Sequence, residues 1–158
     1  MYQQILVPVD GSATSMHGLE QAIGMAQLAK GRLRLLHVVD EPSFALAMDA
    51  YSGRAGDWMK VLRETGHKLL RECEAKVGAA GIPVDSVLRD HLDGTVHEIV
   101  TREAANWPAD LIVLGTHGRH GAQRLLLGSS AENIARTSPV PVLLVRAPEV
   151  SSTALLRP

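Results

Sequence analysis

The chain holds a single cysteine, Cys73, so no internal disulfide and no cysteine zinc cluster can form within it. Aromatic residues are equally scarce. Tyr2, Phe44, Tyr51, Trp58 and Trp107 are the full set, too few for a platform that stacks single-stranded nucleic acid. Neither sign of charge dominates: 16 Lys and Arg face 17 Asp and Glu, which excludes a general polyanion coat or a polybasic membrane binder. No apolar run approaches the ~18 residues of a membrane span, and Met1 leads straight into a strand-like stretch without the basic and apolar regions of a secretory leader. Three catalytic or nucleotide signatures are missing too. No lysine follows Lys76 and none precedes Ser or Thr, so there is no Walker A loop; no G-x-G-x-x-G follows the first apolar run; and no G-x-S-x-G elbow occurs. The expectation is a soluble, reduced, cytoplasmic protein without a nucleic-acid or membrane partner.

What is present is an alternation of short apolar runs and longer helical patterns. Ile5–Val9, Leu33–Val39, Val84–Leu88, Leu111–Leu114 and Val142–Val145 are Leu-, Ile- and Val-rich, as strands covered on both faces are. Between them lie helical patterns. Met16, Leu19, Ile23 and Ala26 recur at spacings of three and four, and Lys30-Gly31 closes that helix. A long helix carries Met59, Leu62, Leu69, Cys73 and Ala80 on one stripe and stops at Gly81-Ile82-Pro83, which makes Cys73 a buried small hydrophobe. Thr95-x-x-Glu98 and Ser129-x-x-Glu132 each read as a capping box opening a further helix, the first with Val96, Ile99, Val100 and Ala104 inward. Strand and helix alternating in this way predict an open α/β fold with a parallel sheet and right-handed crossovers. Such a sheet binds ligands beyond the carboxyl ends of its strands. Residues 1–147 form one domain and 148–158, rich in Ser and Thr, a flexible tail. The long connection from Glu41 to Asp57, with Phe44, Met48 and Tyr51, reads either as a lid or partner surface or as a locally packed loop.

One segment concentrates chemistry. Residues 115–130, GTHGRHGAQRLLLGSS, join the fourth strand to a helix start. Gly115, Gly118 and Gly121 let a ligand approach the backbone. Gly128, Ser129 and Ser130 bring small residues, hydroxyls and amides to a helix N-terminus, a ready anion site. No acid lies between Asp110 and Glu132, while Arg119 and Arg124 lie inside. Glycines, hydroxyls and positive charge in one loop point to phosphate. Asp10 in Asp10-Gly11-Ser12 fits ordinary turn and cap chemistry as well as a ligand role. Seven histidines are present, but His117 with His120 and His91 with His97 make only pairs, short of the three or four ligands zinc takes. His37, inside a strand, reads as a satisfied interior or edge histidine, and Glu64, Lys68, Arg71 and Glu72 as a solvated helix face.

The spacing Gly115-x2-Gly118-x9-Gly128-Ser129 resembles the G-x2-G-x9-G-[S/T] pattern of the ATP-binding branch of the universal stress protein family. The segments ILVPVDGS, LLHVVDEP, ADLIVLGTHGR and PVPVLLV are similar to that family too, over about residues 3–146. The resemblance implies a Rossmann-like five-stranded sheet of order 3-2-1-4-5 with helices on both faces, and an adenosine nucleotide (ATP, ADP or AMP) over the first and fourth strands. It implies that Pro8, Val9 and Asp10 line base and ribose, Asp10 also contacting a nucleotide-borne Mg²⁺. Val38 would offer its backbone to the adenine edge and Gly115 would lie beside the ribose. Thr116, His117, Gly118, Arg119, Gly128, Ser129 and Ser130 would surround the phosphates. Ser130 stands where the family commonly has a branched apolar residue. The function implied is a nucleotide-dependent regulatory or stress-response protein, hydrolysing ATP slowly at most. Two alternatives are a slow ATPase or phosphoryl or nucleotidyl transferase on the same fold, and a nucleotide-independent interaction module. Strand 142–146, apolar through Val145 with Arg146 only at its end, invites antiparallel pairing with a second copy, a homodimer the resemblance also implies.

Overall fold

The computed structural model describes residues 1–40, 55–116 and 128–146. The elements run β1 (Gln4–Pro8), α1 (Ala13–Ala29), β2 (Arg32–Val39), α2 (Ala55–Ala79), β3 (Val84–Asp90), a 3-10 turn (His91–Asp93), α3 (Val96–Asn106), β4 (Leu111–Gly115), α4 (Ser129–Thr137) and β5 (Val142–Val145). All strand pairs are parallel and the sheet order is β3-β2-β1-β4-β5, as expected. The helix α2 already starts at Ala55, inside the segment read as a connection; residues 41–54 lie outside the described residues, as does the tail from 147.

The central strands explain the two-layer core. β4 and, after Gln4, β1 are apolar, because α1 and α2 pack on one face of the sheet and α3 and α4 on the other. Ile5, Val7, Leu33, Leu35, Leu111 and Val113 point to the first layer; Leu6, Leu36, Ile112 and Leu114 point to the second. The alternation of successive side chains across a strand makes that division unavoidable.

Two expectations about the helices need correction. The buried line of α2 is Trp58, Gly66, Leu70, Cys73 and Val77; Met59, Leu62 and Leu69 flank it, half-buried. Two adjacent leucines, Leu69 and Leu70, fit either line, and Gly66 carries no apolar signal, so the periodicity does not separate the two. Cys73 is buried as expected, and burial pushes its thiol up. The second capping box also does not form. Gly128 is the N-cap of α4, Ser129 is already its first helical residue, and no side chain caps the end. At α3, by contrast, the Glu98 carboxylate accepts from the amide (2.9 Å) and hydroxyl (2.7 Å) of Thr95, and those bonds hold its carboxyl below the usual range.

A polar cluster without any advance signal ties α3 to the sheet. Glu103, buried in α3, accepts from Arg34 of β2 (3.0 Å) and Arg89 of β3 (3.2 Å). Asp85 takes a bidentate pair from Arg34 (2.7 and 2.9 Å) and a further bond from Arg32 (3.1 Å). Both guanidinium groups of β2 lie over the Trp107 ring, 5.5 Å for Arg32 and 4.9 Å for Arg34.

Candidate functional site

The site begins where β1 stops pairing with β4. β1 runs alongside β2 as far as Pro8↔Leu36, but its register with β4 ends at Leu6↔Ile112. Alternate residues of a strand address opposite neighbours. The Val9 amide donates to Leu36 of β2 (2.8 Å), so Pro8 addresses β4. Proline has no N–H to offer there. The two central strands therefore part at their carboxyl ends, at the point where the chain's winding direction reverses, which is where open α/β sheets take ligands.

Helix N-termini close on this gap from both faces. On one face the Asp10-Gly11-Ser12 turn leads into α1. Ser12 donates its amide to Asp10 Oδ1 (2.8 Å), Asp10 donates its amide to Ser15 Oγ (3.1 Å), and Ser15 donates its amide to Ser12 Oγ (3.2 Å). Gly11 sits at φ 80°, a conformation that glycine takes without strain. The turn and cap chemistry expected for Asp10 is thus present. On the other face, α4 starts at Ser129. The amides of Ser129, Ser130 and Ala131 have no acceptor within a helix that begins there, and the aligned peptide dipoles place partial positive charge at that end.

β4 joins the two faces. A Cβ on Gly115 would lie 2.8 Å from Thr14 Cγ2, 2.9 Å from the Thr14 carbonyl carbon and 3.0 Å from the Ser15 nitrogen. Glycine at this position lets the first turn of α1 rest on the end of β4. The next residue, buried Thr116, donates its amide to the Val145 carbonyl (2.9 Å) and accepts the Gly128 amide on its own carbonyl (2.9 Å). The side-chain position of Gly115 is taken by α1, and the Gly128 amide is committed to Thr116.

Of the sequence-derived site residues, Pro8, Val9, Asp10, Gly115, Thr116, Gly128, Ser129 and Ser130 gather at this one end of the sheet. Val38 lies on β2 one position beyond Leu36 and His37, at the same carboxyl end. His117, Gly118, Arg119, Gly121 and Arg124 lie outside the described residues. Asp10 by itself fits a magnesium ion only as one ligand beside phosphate oxygens, and among the described residues no group of three His, Cys, Asp or Glu side chains could hold a metal. No described helix is long and apolar enough to cross a membrane. Two participants escaped the sequence reading: Ser15, which receives the Asp10 amide, and the role of His37, whose ring reaches the Val9 carbonyl (2.7 Å). Only the Ser in Asp-Gly-Ser-x-x-Ser could have signalled the first.

Comparison with known proteins agrees with this geometry. A universal stress protein of Methanocaldococcus jannaschii, MJ0531, is 30% identical over 152 residues, covering 94% of this chain and 85% of the relative. The solved structure of MJ0577 from the same organism matches with a TM-score of 0.79 at 27% identity, covering 94% of this chain and 98% of that one. A universal stress protein solved in complex with cAMP shares the fold, with a TM-score of 0.65 and 24% identity, covering 93% of this chain and 98% of that one. With the strand order in place and the universal stress protein family profile matching residues 1–146, the chain belongs to that family.

Proposed function

We propose that the protein binds an adenosine nucleotide, ATP first among them, in the gap between β1 and β4, and that it acts as a nucleotide-dependent regulatory or stress-response protein. The observation that carries this reading is the meeting of a broken β1–β4 ladder with the N-termini of α1 and α4. Base and ribose would lie against Pro8, Val9, Asp10 and the backbone of Val38. The phosphates would reach the α4 N-terminus at Ser129 and Ser130, with Thr116, His117, Gly118, Arg119 and Gly128 forming the loop around them. Any Mg²⁺ would be held chiefly by phosphate oxygens, with Asp10 as a single protein ligand. The cAMP-bound relative supports the adenosine class as one this fold can hold. Turnover would be slow, since the chain offers no Walker lysine. A homodimer through strand 142–146 belongs to the same reading.

Titration calorimetry of nucleotide-stripped protein with Mg·ATP tests it. A Kd near 1 μM, about −8 kcal/mol, is expected. Gly128→Val should weaken binding at least ~100-fold with native circular dichroism, because a branched side chain would stand at the helix end where phosphate approaches. Gly128 itself has φ −55° and ψ 141°, a conformation valine adopts readily. No heat and no thermal shift at millimolar ATP would overturn the assignment.

A further inference from the structure

His37 lies in the middle of the ligand end of the sheet and is otherwise unaccounted for. It is buried, and its Nδ1 is 2.7 Å from the carbonyl oxygen of Val9. A carbonyl can only accept, so Nδ1 carries the hydrogen and donates. In a continued parallel ladder, a residue whose amide bonds one strand neighbour turns its carbonyl to the amide two positions further along that neighbour. For Val9, whose amide bonds Leu36, that partner would be Val38. Here the side chain of the intervening residue holds the carbonyl instead. Both polar groups of the Val9 backbone are thereby tied to β2, at the point where the chain leaves the sheet for the Asp10 turn.

The space for this ring comes from α2. A Cβ on Gly66 would lie 2.7 Å from His37 Cδ2, 3.2 Å from His37 Nε2 and 2.7 Å from Leu88 Cδ1. Glycine in a helix interior is destabilising relative to alanine. Gly66 sits within a 25-residue helix, is buried, and is not at an end, so no cap or turn explains it. The imidazole does.

We infer that His37 is a positioning residue of the nucleotide site: seated against Gly66, it fixes the Val9 carbonyl and so sets the direction of the Val9–Asp10 peptide on which base and ribose would rest. The inference rests on the nucleotide reading above, and it makes α2, through Gly66, part of the support of a site that it does not line.

Calorimetry with Mg·ATP on the full chain tests it, with circular dichroism alongside. His37→Leu should weaken ATP binding about tenfold, roughly the value of one hydrogen bond. His37→Asn places an amide N–H where Nδ1 stood and should stay within about threefold of the parent. Gly66→Ala should weaken binding about three- to tenfold even though alanine favours the helix, and should weaken it less when added to His37→Asn, whose shorter side chain removes the imidazole contact and leaves only that with Leu88. Nitrogen-15 spectra of the unmutated protein should show a protonated, slowly exchanging Nδ1 on one histidine, lost in His37→Leu. Undiminished ATP affinity in folded His37→Leu, with the parent binding ATP, would overturn the role of His37 and leave the nucleotide reading standing. So would equal losses in His37→Leu and His37→Asn. If His37→Leu does not fold, unchanged affinity in Gly66→Ala or an unprotonated Nδ1 has the same force. A parent that binds no ATP would instead remove the nucleotide reading, and this inference with it.

Discussion

Gly115 has two reasons to be glycine, and they act on different sides of the same residue. The nucleotide reading needs a backbone that a ribose can approach. The packing needs a residue with no Cβ, because Thr14 and Ser15 already occupy that space at 2.8–3.0 Å. The second reason suffices to predict a stability effect. Gly115→Ala must push the first turn of α1 off β4, and overpacking of this kind costs about 1–3 kcal/mol. Chemical denaturation should show that loss, with a fall in the thermal midpoint of about 2–4 °C per kcal/mol for a chain of this size. An unchanged midpoint would mean that α1 can shift without cost. Lys30 makes the opposite point about glycine. It, and not Gly31, takes the left-handed conformation at the end of α1, with φ 53°. Gly31 is needed because a Cβ there would lie 2.9 Å from the Gln3 carbonyl oxygen. The dipeptide closes the helix as expected, with the two roles exchanged.

At the scale of elements, the attachment of α3 to the sheet is electrostatic as well as apolar. Hydrogen bonds from Arg34 hold the Asp85 carboxyl below its ordinary value, and Arg32 adds to that. A carboxyl depressed in the folded state contributes stability at pH values above its unfolded value, near 3.8, and loses it as the pH falls through the folded value. Asp85→Asn should therefore be less stable than the parent at pH 7, on the order of 1 kcal/mol for a pair that is partly open to solvent. That difference should shrink as the pH falls below about 4. Urea midpoints of both proteins at pH 7, 4 and 3 measure it, and a gap that stays constant across that range would count against the pairing. Glu103 is the deeper member of the cluster, buried with two arginines on it. Its neighbour Arg34 keeps its bonds to Asp85 when Glu103 is removed.

At the scale of the whole molecule, the sheet has two edges of different character. β3, Val84–Asp90, carries Asp85, Arg89 and Asp90, charges of the kind that discourage edge-to-edge pairing. β5, Val142–Val145, has no charged residue within it and leaves Leu143 about a third exposed (37%). The proposed homodimer uses the second edge, two copies pairing antiparallel about a two-fold axis. Light scattering at tens of micromolar should give the mass of a dimer, and Leu143→Lys should give that of a monomer. A monomeric parent would end the proposal, and a dimer indifferent to Leu143→Lys would move the interface elsewhere. The same strand is tied to the end of β4, since the Val145 carbonyl receives the Thr116 amide.

By itself, the sequence determined the order of elements and the parallel sheet, and it pointed to one end of that sheet for the proposed site. These follow from local patterns: apolar runs too short for helices, three- and four-residue spacings, and glycine and hydroxyl residues clustered after β4. The universal stress protein family was legible in the segments ILVPVDGS, LLHVVDEP, ADLIVLGTHGR and PVPVLLV together with the spaced glycine pattern. Tertiary structure alone decided what each of those groups does. The Gly128 amide goes to Thr116, the space beside Gly115 goes to α1, and α4 begins one residue before its expected cap could act. The bond from His37 to Val9 spans 28 positions and that from Arg34 to Glu103 spans 69. No periodicity encodes such pairs: a polar side chain's partner is chosen by which strands become neighbours, and that is settled only when the sheet closes on its two layers.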